Sequence, residues 1–257
     1  MITMGMKFGK LLNNRINKMN KSISIVIPAY NEEKRIGLSL IQITKYMDEN
    51  KYNYEIIIVD DNSTDNTLKI IKNFKSDKIK IIKNIVNRGK GYSVKKGILN
   101  SKHPFVLFSD ADLATPIEEL KKFMELIAKY DIVIASRNLK GSYIKVKQPF
   151  YRKFLGKSFP LLVNLIVLNK FEDTQCGFKL FKTNVAKKIV SLQTFDGFSF
   201  DVEILFIALK LGFKIKEEPV TWINKDGSKV KLIGDTFKMF FDLFKIRFNN
   251  HIGKYGK

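Results

Sequence analysis

A chain of 257 residues is long enough for one large α/β domain or two small ones, and its 45% hydrophobic content can fill a core. The 12% aromatic content argues against a disordered chain, and the single cysteine, Cys176, excludes an internal disulfide. With only two histidines, a Cys/His zinc site is not expected. The unusual feature is a formal net charge of +21, which predicts an anionic partner.

The positive charge is concentrated in three segments. Residues 1–21 and 139–170 contain basic but no acidic residues, and the part from residue 224 to the end is also basic. Such a polarised surface suits nucleic acid, a phosphorylated substrate or acidic lipid headgroups. Residues 1–20 lack the continuous apolar core of a signal peptide, and the apolar run at 159–168 is too short to span a bilayer. We therefore expect a reducing compartment, with any membrane contact at the surface of the bilayer.

The first half of the chain alternates between strand and helix patterns. Short apolar runs predict strands at 22–28, 55–60, 78–84, 105–110 and 131–136. Between them, helices are predicted at 34–50, from about 64, at 90–100 and from Pro116. Continuous apolar strands separated by helices are typical of a mostly parallel sheet with helices on both faces.

The second half has a less regular pattern. It predicts a helix over 151–168 that Pro160 interrupts, a strand at 177–181 and an amphipathic helix at 199–211. One or two strands are expected within 213–222, and an amphipathic helix rich in Phe and Lys at 235–250. This last helix either packs on the core or lies on an anionic membrane, and residues 1–21 could lie there too.

Polar residues follow all five strands predicted in the first half. They are Tyr30-Asn31-Glu32, Asp60-Asp61-Asn62, Asn87 to Gly91, Asp110 with Asp112, and Ser136-Arg137. Ligands of parallel sheets bind beyond the carboxyl ends of the strands, so five polar clusters at one edge predict a binding site.

Three of these clusters have two interpretations each. Asp110 and Asp112 either form a turn that caps the next helix or bind a hard divalent cation such as Mg²⁺ or Mn²⁺. Asp60 and Asp61 either belong to a helix-capping turn, or Asp60 accepts hydrogen bonds from a base or ribose. The stretch 87–93 is either a plain turn or brings backbone N–H groups and Lys90 to a diphosphate. Its glycine spacing is not that of a P-loop, and no Rossmann fingerprint follows the first strand.

Taken together, the sequence segments resemble a known family. IPAYNEEKRI, VDDNSTDNT, NRGKGYSV, SDADLATP and Ser136-Arg137 are similar to family-2 glycosyltransferases of the GT-A (nucleotide-diphospho-sugar transferase) fold. The later stretches YRKFLGKSF, EDTQCGFKLF, FDVEIL and EEPVTWINKDGSKV resemble the dolichyl-phosphate β-glucosyltransferases and related polyprenyl-phosphate glycosyl synthases. The resemblance runs in order from about 22 to 247. Mannose synthases of this group tend to have Gln where this chain has Ala114, which argues against a mannosyl donor and leaves the metal ligands incomplete.

The resemblance implies one α/β domain at 22–257 behind a basic segment, 1–21. Residues 22–137 would form the nucleotide-sugar half, and 138–257 the half that meets acceptor and membrane. The eukaryotic glucosyl enzymes carry an N-terminal membrane anchor, which residues 1–21 do not match.

The resemblance also implies site residues. Those expected to bind the nucleotide sugar are Pro28, Tyr30, Glu32, Asp60, Asp61, Lys90, Gly91, Asp110, Ala111 and Asp112. Of these, Asp110 and Asp112 would hold Mg²⁺ or Mn²⁺ against the diphosphate. Candidates for the chemistry are Asp112, Arg137, Asp201 and Glu203, and candidates for an acceptor phosphate are Arg137, Arg152 and Lys229. Asp173 and Gln175 are expected to shape the acceptor or sugar site, and Lys179 to be structural.

The expected reaction is displacement at the anomeric carbon with inversion. A phosphate monoester, with a second pKa of about 6, is already a nucleophile near neutral pH and needs cationic positioning. A hydroxyl acceptor would need a base, for which Asp201 and Glu203 are candidates; the alternative is that they only orient their neighbours.

The resulting hypothesis is transfer of glucose from UDP-glucose to dolichyl or polyprenyl phosphate. The enzyme would be cytoplasmic and peripheral on the cytosolic face of an anionic membrane. The alternatives are GDP-mannose or another donor, or a saccharide hydroxyl acceptor in cell-surface glycan synthesis. Nucleic acid is not expected as a partner, because carboxylates at the strand ends would repel its backbone. No oligomeric state is indicated.

Overall fold

The computed structural model describes residues 21–74, 76–145, 160–168, 170–225 and 234–256. Its strands are β1 (Ser22–Ala29), β2 (Asn53–Asp60), β3 (Ile79–Lys83), β4 (Phe105–Ser109), β5 (Ile132–Ser136), β6 (Tyr143–Ile144), β7 (Phe178–Lys182), β8 (Ile215–Pro219) and β9 (Thr221–Trp222). Its α-helices are α1 (Ile36–Glu49), α2 (Thr67–Asn73), α3 (Lys90–Leu99), α4 (Leu120–Leu126), α5 (Thr183–Leu192), α6 (Phe200–Lys210) and α7 (Gly234–His251). A 3₁₀ turn at Ile117–Glu119 precedes α4, and residues 160–168 end as a π-helix at Asn164–Leu168.

Seven strands form one sheet in the order β3-β2-β1-β4-β7-β5-β8. All neighbouring pairs are parallel except those of β7, which runs antiparallel to β4 and β5. From β1 the chain first builds outward through β2 and β3, then returns to place β4 on the other side of β1. The gap between β1 and β4 is therefore the topological switch point, where ligands of such sheets bind. A separate parallel pair joins β6 to β9.

The central strands are buried on both faces, which explains their continuous apolar sequence. Along β1, Ile23, Ile25 and Ile27 pack into one hydrophobic cluster and Val26 into the other. Helix α3 lies very close to β1, since a Cβ added at Gly97 would lie 2.3 Å from Cγ1 of Val26. Helix α3, which begins at Lys90, is thus held against β1, beside the switch point.

The prediction of a mostly parallel, helix-covered sheet is confirmed. The five strands predicted in the first half are present, and the region 213–222 forms two strands, β8 and β9. The sequence did not predict the antiparallel direction of β7, nor β6 and α5. After Pro116 the chain first forms the 3₁₀ turn, so α4 begins later than expected.

The prediction that residues 199–211 form an amphipathic helix is wrong in one respect. Helix α6 is present, but all its residues from 200 to 208 are buried, including Asp201 and Glu203. The ring of Phe200 contacts Phe108 of the sheet, and Phe206 contacts Tyr255 near the C-terminus. The helix is therefore covered on two sides, and its charged residues lie inside the protein.

The prediction of an amphipathic C-terminal helix is confirmed by α7, whose solvent-exposed face is unusually rich in aromatic residues. Met239, Leu243 and Ile246 are buried against the core. On the opposite side, four phenylalanines are 50% to 63% exposed: Phe237, Phe241, Phe244 and Phe248. None of the helices in the described ranges is both long and apolar enough to cross a lipid bilayer. Residues 1–20 and 151–159, for which membrane contact or a helix was predicted, lie outside the described residues.

Candidate active site

The loops after β1, β2 and β4 meet at the carboxyl edge of the sheet. Each contains a non-glycine residue with positive φ: Asn31 (54°), Asn62 (62°) and Leu113 (48°). Asparagine adopts this conformation readily, whereas for a leucine it is uncommon, and uncommon backbone conformations tend to occur at functional sites. The first two loops are joined by hydrogen bonds from Asn31 N to Ser63 Oγ (3.0 Å) and from Thr64 N to Asn31 Oδ1 (2.8 Å). These hydrogen bonds hold the loops after β1 and β2 together.

Asp60 ends β2 with a buried carboxylate that is only partly satisfied. Its Oδ1 accepts a hydrogen bond from Ser63 N at 3.3 Å, whereas Oδ2 has no partner among the described residues. Buried carboxylate oxygens are normally hydrogen-bonded, so a lone acceptor at this edge suits an N–H or O–H group of a ligand. Pro28 lies half-buried at the end of β1, and Tyr30 is exposed just beyond it.

Asp110 and Asp112 lie in the turn after β4. Asp110 N donates to Gly177 O at 2.9 Å, and Asp112 Oδ1 accepts from Ala114 N at 3.0 Å. Between them, the Ala111 carbonyl accepts a hydrogen bond from Ser39 at 2.7 Å. The turn therefore fixes both carboxylates at the edge of the sheet, with side chains still 31% and 22% exposed.

Both carboxylates have a basic neighbour. Lys90 Nζ lies 2.8 Å from Asp110 Oδ1, and Arg35 Nη1 lies 3.6 Å from Asp112 Oδ2. Arg35 also forms two hydrogen bonds of 2.6 Å with Glu32, so the Glu32 carboxylate is engaged within the protein.

The donor set fits a divalent cation. Burial and the nearby Asp110 charge raise the pKa of Asp112, and a divalent cation held by these residues would oppose both effects. Carboxylate oxygens are ligands that Mg²⁺ and Mn²⁺ prefer. No group of three or more His, Cys, Asp or Glu suited to a metal occurs in the described ranges. The remaining ligands would have to be phosphate oxygens or water, which is usual for Mg²⁺.

The 87–92 loop, defined here to include the first turn of α3, brings Lys90 to Asp110, and Asp61 holds this loop. The Asp61 carboxylate accepts hydrogen bonds from Arg88 N (3.0 Å), Gly89 N (2.7 Å) and Asn84 Nδ2 (2.7 Å). Asp61 is also buried. The structure thus directs Asp61 to the loop, whereas Asp60 beside it keeps a free acceptor.

Gly91 allows the 87–92 loop to approach the start of α6. A Cβ at this position would lie 2.7 Å from both the Phe195 carbonyl oxygen and the Phe200 Cβ. No side chain larger than hydrogen fits there without a shift of the backbone.

Arg137 is bound to Asp173. Its Nε and Nη2 donate to the two carboxylate oxygens at 2.6 and 2.8 Å, and its backbone N donates at 3.0 Å. Burial opposes ionisation of Asp173, but Arg137 outweighs it and lowers the pKa of this carboxyl. The guanidinium remains partly exposed and lies 5.6 Å from the ring centre of Trp222. Gln175 N also donates to Asp173, at 3.1 Å.

Asp201 and Glu203 do not converge on one point. Asp201 forms a buried ion pair with Lys179 of β7, whose ammonium also donates to the Cys176 carbonyl at 2.8 Å. Burial raises the pKa of Asp201, although Lys179 and Lys90 oppose this. Because two residues correspond to about 200° around a helix, Glu203 lies on the other side of α6.

Glu203 is completely buried and well satisfied. Its Oε1 accepts hydrogen bonds from Thr194 N (2.9 Å) and the Tyr255 hydroxyl (2.8 Å), and its Oε2 accepts from Phe195 N (2.9 Å). Burial raises the pKa of this carboxyl, and the hydrogen bonds counteract the rise.

Sequence reasoning passed over two residues of the site. The sequence pattern does not mark Arg35, and it predicts only a structural role for Lys179. A lysine inside the apolar strand GFKLF was a usable signal, because lysine is almost never fully buried unless it is paired. Arg152 and Lys229 lie outside the described residues.

Comparison with known proteins agrees with this fold. Residues 24–190 match the model of the family described as Glycosyl transferase family 2. The dolichyl-phosphate beta-glucosyltransferase of Dictyostelium discoideum is 36% identical, over 96% of this chain and 80% of that protein. The enzymes of the same name from Saccharomyces cerevisiae and Homo sapiens are 38% and 33% identical, over 91% and 88% of this chain and 76% and 75% of those proteins.

Solved structures show the same fold at low sequence identity. Glucosyl-3-phosphoglycerate synthase of Mycobacterium tuberculosis, solved with Mn²⁺, UDP and glucosyl-3-phosphoglycerate, is 18% identical with a TM-score of 0.64. The match covers 90% of this chain and 80% of that one. Staphylococcus aureus TarS, solved with UDP-GlcNAc, is 19% identical with a TM-score of 0.57, over 89% of this chain and 67% of that one.

Proposed function

Because the chain belongs to glycosyltransferase family 2 and has the GT-A fold, we propose that it transfers glucose from UDP-glucose to dolichyl or another polyprenyl phosphate, with inversion. The acceptor is suggested by relatives named dolichyl-phosphate beta-glucosyltransferase, which match over most of their own length. The UDP donor is suggested by the structural neighbours solved with UDP or a UDP-sugar.

One observation in the site carries the choice of a phosphate acceptor. Among the described residues, the two candidate bases are engaged: Asp201 is paired with Lys179, and Glu203 accepts hydrogen bonds on both oxygens. A hydroxyl acceptor needs a base to remove its proton. A phosphate monoester is already ionised near neutral pH, so this site suits it better.

In this proposal the nucleotide sugar lies over the switch point between β1 and β4. Asp60 Oδ2 and the exposed Tyr30 face the nucleoside, and Lys90 faces the diphosphate. Asp110 and Asp112 would hold Mg²⁺ or Mn²⁺, which would offset the charge that develops on the leaving nucleoside diphosphate.

The acceptor phosphate is assigned to the other half of the domain, residues 138–257, together with Arg137 at its border. A phosphate would meet the exposed edge of the Arg137 guanidinium, which Asp173 orients through two hydrogen bonds. Arg152 and Lys229 are proposed as further phosphate ligands from the sequence alone. Asp201 is proposed to orient Lys179, not to act as a base.

We also propose that α7 lies on the cytosolic face of a membrane. Its four exposed phenylalanines point away from the core, and the exposed Lys238, Lys245 and Arg247 flank them. The neighbouring segment 160–168, which contacts α7, exposes Leu161 and Leu165. An apolar face bordered by basic residues is typical of helices that bind anionic membrane surfaces.

The test is transfer of radiolabel from UDP-glucose, GDP-mannose and other sugar nucleotides to a short dolichyl phosphate. Each reaction is run with Mn²⁺ or Mg²⁺, with EDTA, and with the Asp112→Asn variant. We expect label in the organic phase from UDP-glucose only, lost with EDTA and reduced at least about 100-fold by Asp112→Asn. Label from GDP-mannose alone would refute the donor, and UDP-glucose that is bound or hydrolysed without any label in the dolichyl phosphate would refute the acceptor.

A further inference from the structure

The 87–92 loop rests on a second loop, residues 193–197, through several close contacts. Tyr92 N donates to Asp196 O at 3.1 Å, and Arg88 Nη2 forms an ion pair with the Asp196 carboxylate at 2.9 Å. Gln193 Nε2 donates to Gly91 O at 3.0 Å. A Cβ at Gly89 would lie 2.5 Å from the Asp196 carbonyl oxygen, so the two backbones are in direct contact.

The position of the 193–197 loop depends in turn on Glu203. Its carboxylate accepts the backbone N–H groups of Thr194 and Phe195, both at 2.9 Å. The same Phe195 contributes the carbonyl oxygen that Gly91 approaches and that Gln193 binds at 2.8 Å. The carboxylate is fully buried, so water cannot replace it.

We propose that Glu203 is a positioning residue for Lys90. By fixing the backbone at 194–195, it sets the surface on which the 87–92 loop lies, and therefore the distance of 2.8 Å between Lys90 Nζ and Asp110 Oδ1. The consequence for substrate rests on the proposed function, in which Lys90 faces the diphosphate. Glu203 then contributes to nucleotide-sugar affinity without contacting the nucleotide.

Glu203 also connects this site to the C-terminal helix. Tyr255, buried just beyond α7, donates to Glu203 at 2.8 Å, and Asn249 of α7 donates to Thr194 Oγ1 at 3.1 Å. These two hydrogen bonds anchor the C-terminal region. They are separate from the hydrogen bonds that Glu203 accepts from the backbone of the 193–197 loop. Tyr255→Phe is therefore a matched control, because it removes one hydrogen bond to Glu203 that does not involve the 193–197 loop.

The test compares Glu203→Gln with Tyr255→Phe. The glutamine amide would turn an NH₂ group toward a backbone N–H donor, so at least one of Thr194 and Phe195 loses its partner. We expect Glu203→Gln to raise the KM for UDP-glucose and the Kd for UDP with Mn²⁺ by about tenfold. The kcat and the KM for dolichyl phosphate should stay within about twofold, as should all values of Tyr255→Phe.

Hydrogen exchange gives a readout that does not need the nucleotide. Amides of residues 87–93 should exchange faster in Glu203→Gln than in wild type or Tyr255→Phe, while those of β1 and β4 stay protected. Unchanged exchange at 87–93 would overturn the proposal even if no transfer to dolichyl phosphate is found. A loss of kcat with an altered pH profile and unchanged UDP affinity would overturn it in favour of a base.

Discussion

Replacing Lys179 with methionine removes the cation of a fully buried ion pair and leaves Asp201 behind. Lys179 is completely buried and the Asp201 side chain is 4% exposed, so water cannot take over the role of the ammonium. Breaking a buried pair on one side costs about 3–5 kcal/mol of unfolding free energy. The lost hydrogen bond to the Cys176 carbonyl belongs to the same penalty.

The protein can limit this penalty by protonating Asp201. With an unfolded pKa of about 3.9 and 1.36 kcal/mol per pH unit, protonation costs about 4 kcal/mol at pH 7 and about 1.5 kcal/mol at pH 5. Burial already raises the folded pKa of Asp201, and loss of Lys179 raises it further. The folded variant then binds more protons than the unfolded chain, so its stability falls as pH rises from about 4 toward the folded pKa.

Urea unfolding of wild type, Lys179→Met, Asp201→Asn and the double variant at pH 5 and pH 7 tests this reasoning. We expect Lys179→Met to lose about 3–4 kcal/mol at pH 7 and clearly less at pH 5. The double variant should recover most of the loss, because the amide that replaces the Asp201 carboxylate carries no charge. A penalty that is equal at both pH values, or that persists in the double variant, would show that the loss comes from packing and not from the buried charge.

Two further substitutions follow from local geometry. In Gly177→Ala the new Cβ would lie 2.0 Å from Asp110 Oδ2, so the carboxylate must move. We expect calorimetry to show at least about tenfold weaker binding of UDP with Mn²⁺. Unchanged binding would contradict the role of Asp110. The double substitution Phe241→Ser with Phe244→Ser removes two exposed rings from α7; we expect much weaker co-sedimentation with anionic vesicles and an unchanged Tm. Leu38→Ser, at an exposed position on α1, is the control that should retain vesicle binding.

The sequence predicted which polar residues lie together at the carboxyl edge of the sheet, because the signals for them are local. Each parallel strand is a short apolar run followed by polar residues. The pairing of β1 with β2 and β4 brings these polar residues together at one edge of the sheet. The sequence alone therefore predicts that Asp60, Asp110 and Lys90 lie close together.

What the sequence could not predict depends on contacts between distant residues. The direction of β7 is set by its pairing with β4 and β5, which precede it by about 40 to 70 positions. Nothing in the sequences of β4 and β5 indicates which strand pairs with them or in which direction. The burial of α6 depends on Tyr255, about 50 residues away. Without that contact, the sequence predicts an amphipathic helix at 199–211, in which the Glu203 carboxylate is a candidate base.

The charges around Asp110 and Asp112 explain how two repelling carboxylates can end a buried strand. Lys90 is paired with Asp110 and Arg35 with Asp112, and Arg35 also forms an ion pair with Glu32. These five side chains contain three carboxylates and two cations, so the group carries one negative charge in excess. In that state it would repel a diphosphate. With the proposed divalent cation, the same group would carry one positive charge in excess and attract the diphosphate, which is why nucleotide affinity should depend on the metal more strongly than on any single lysine.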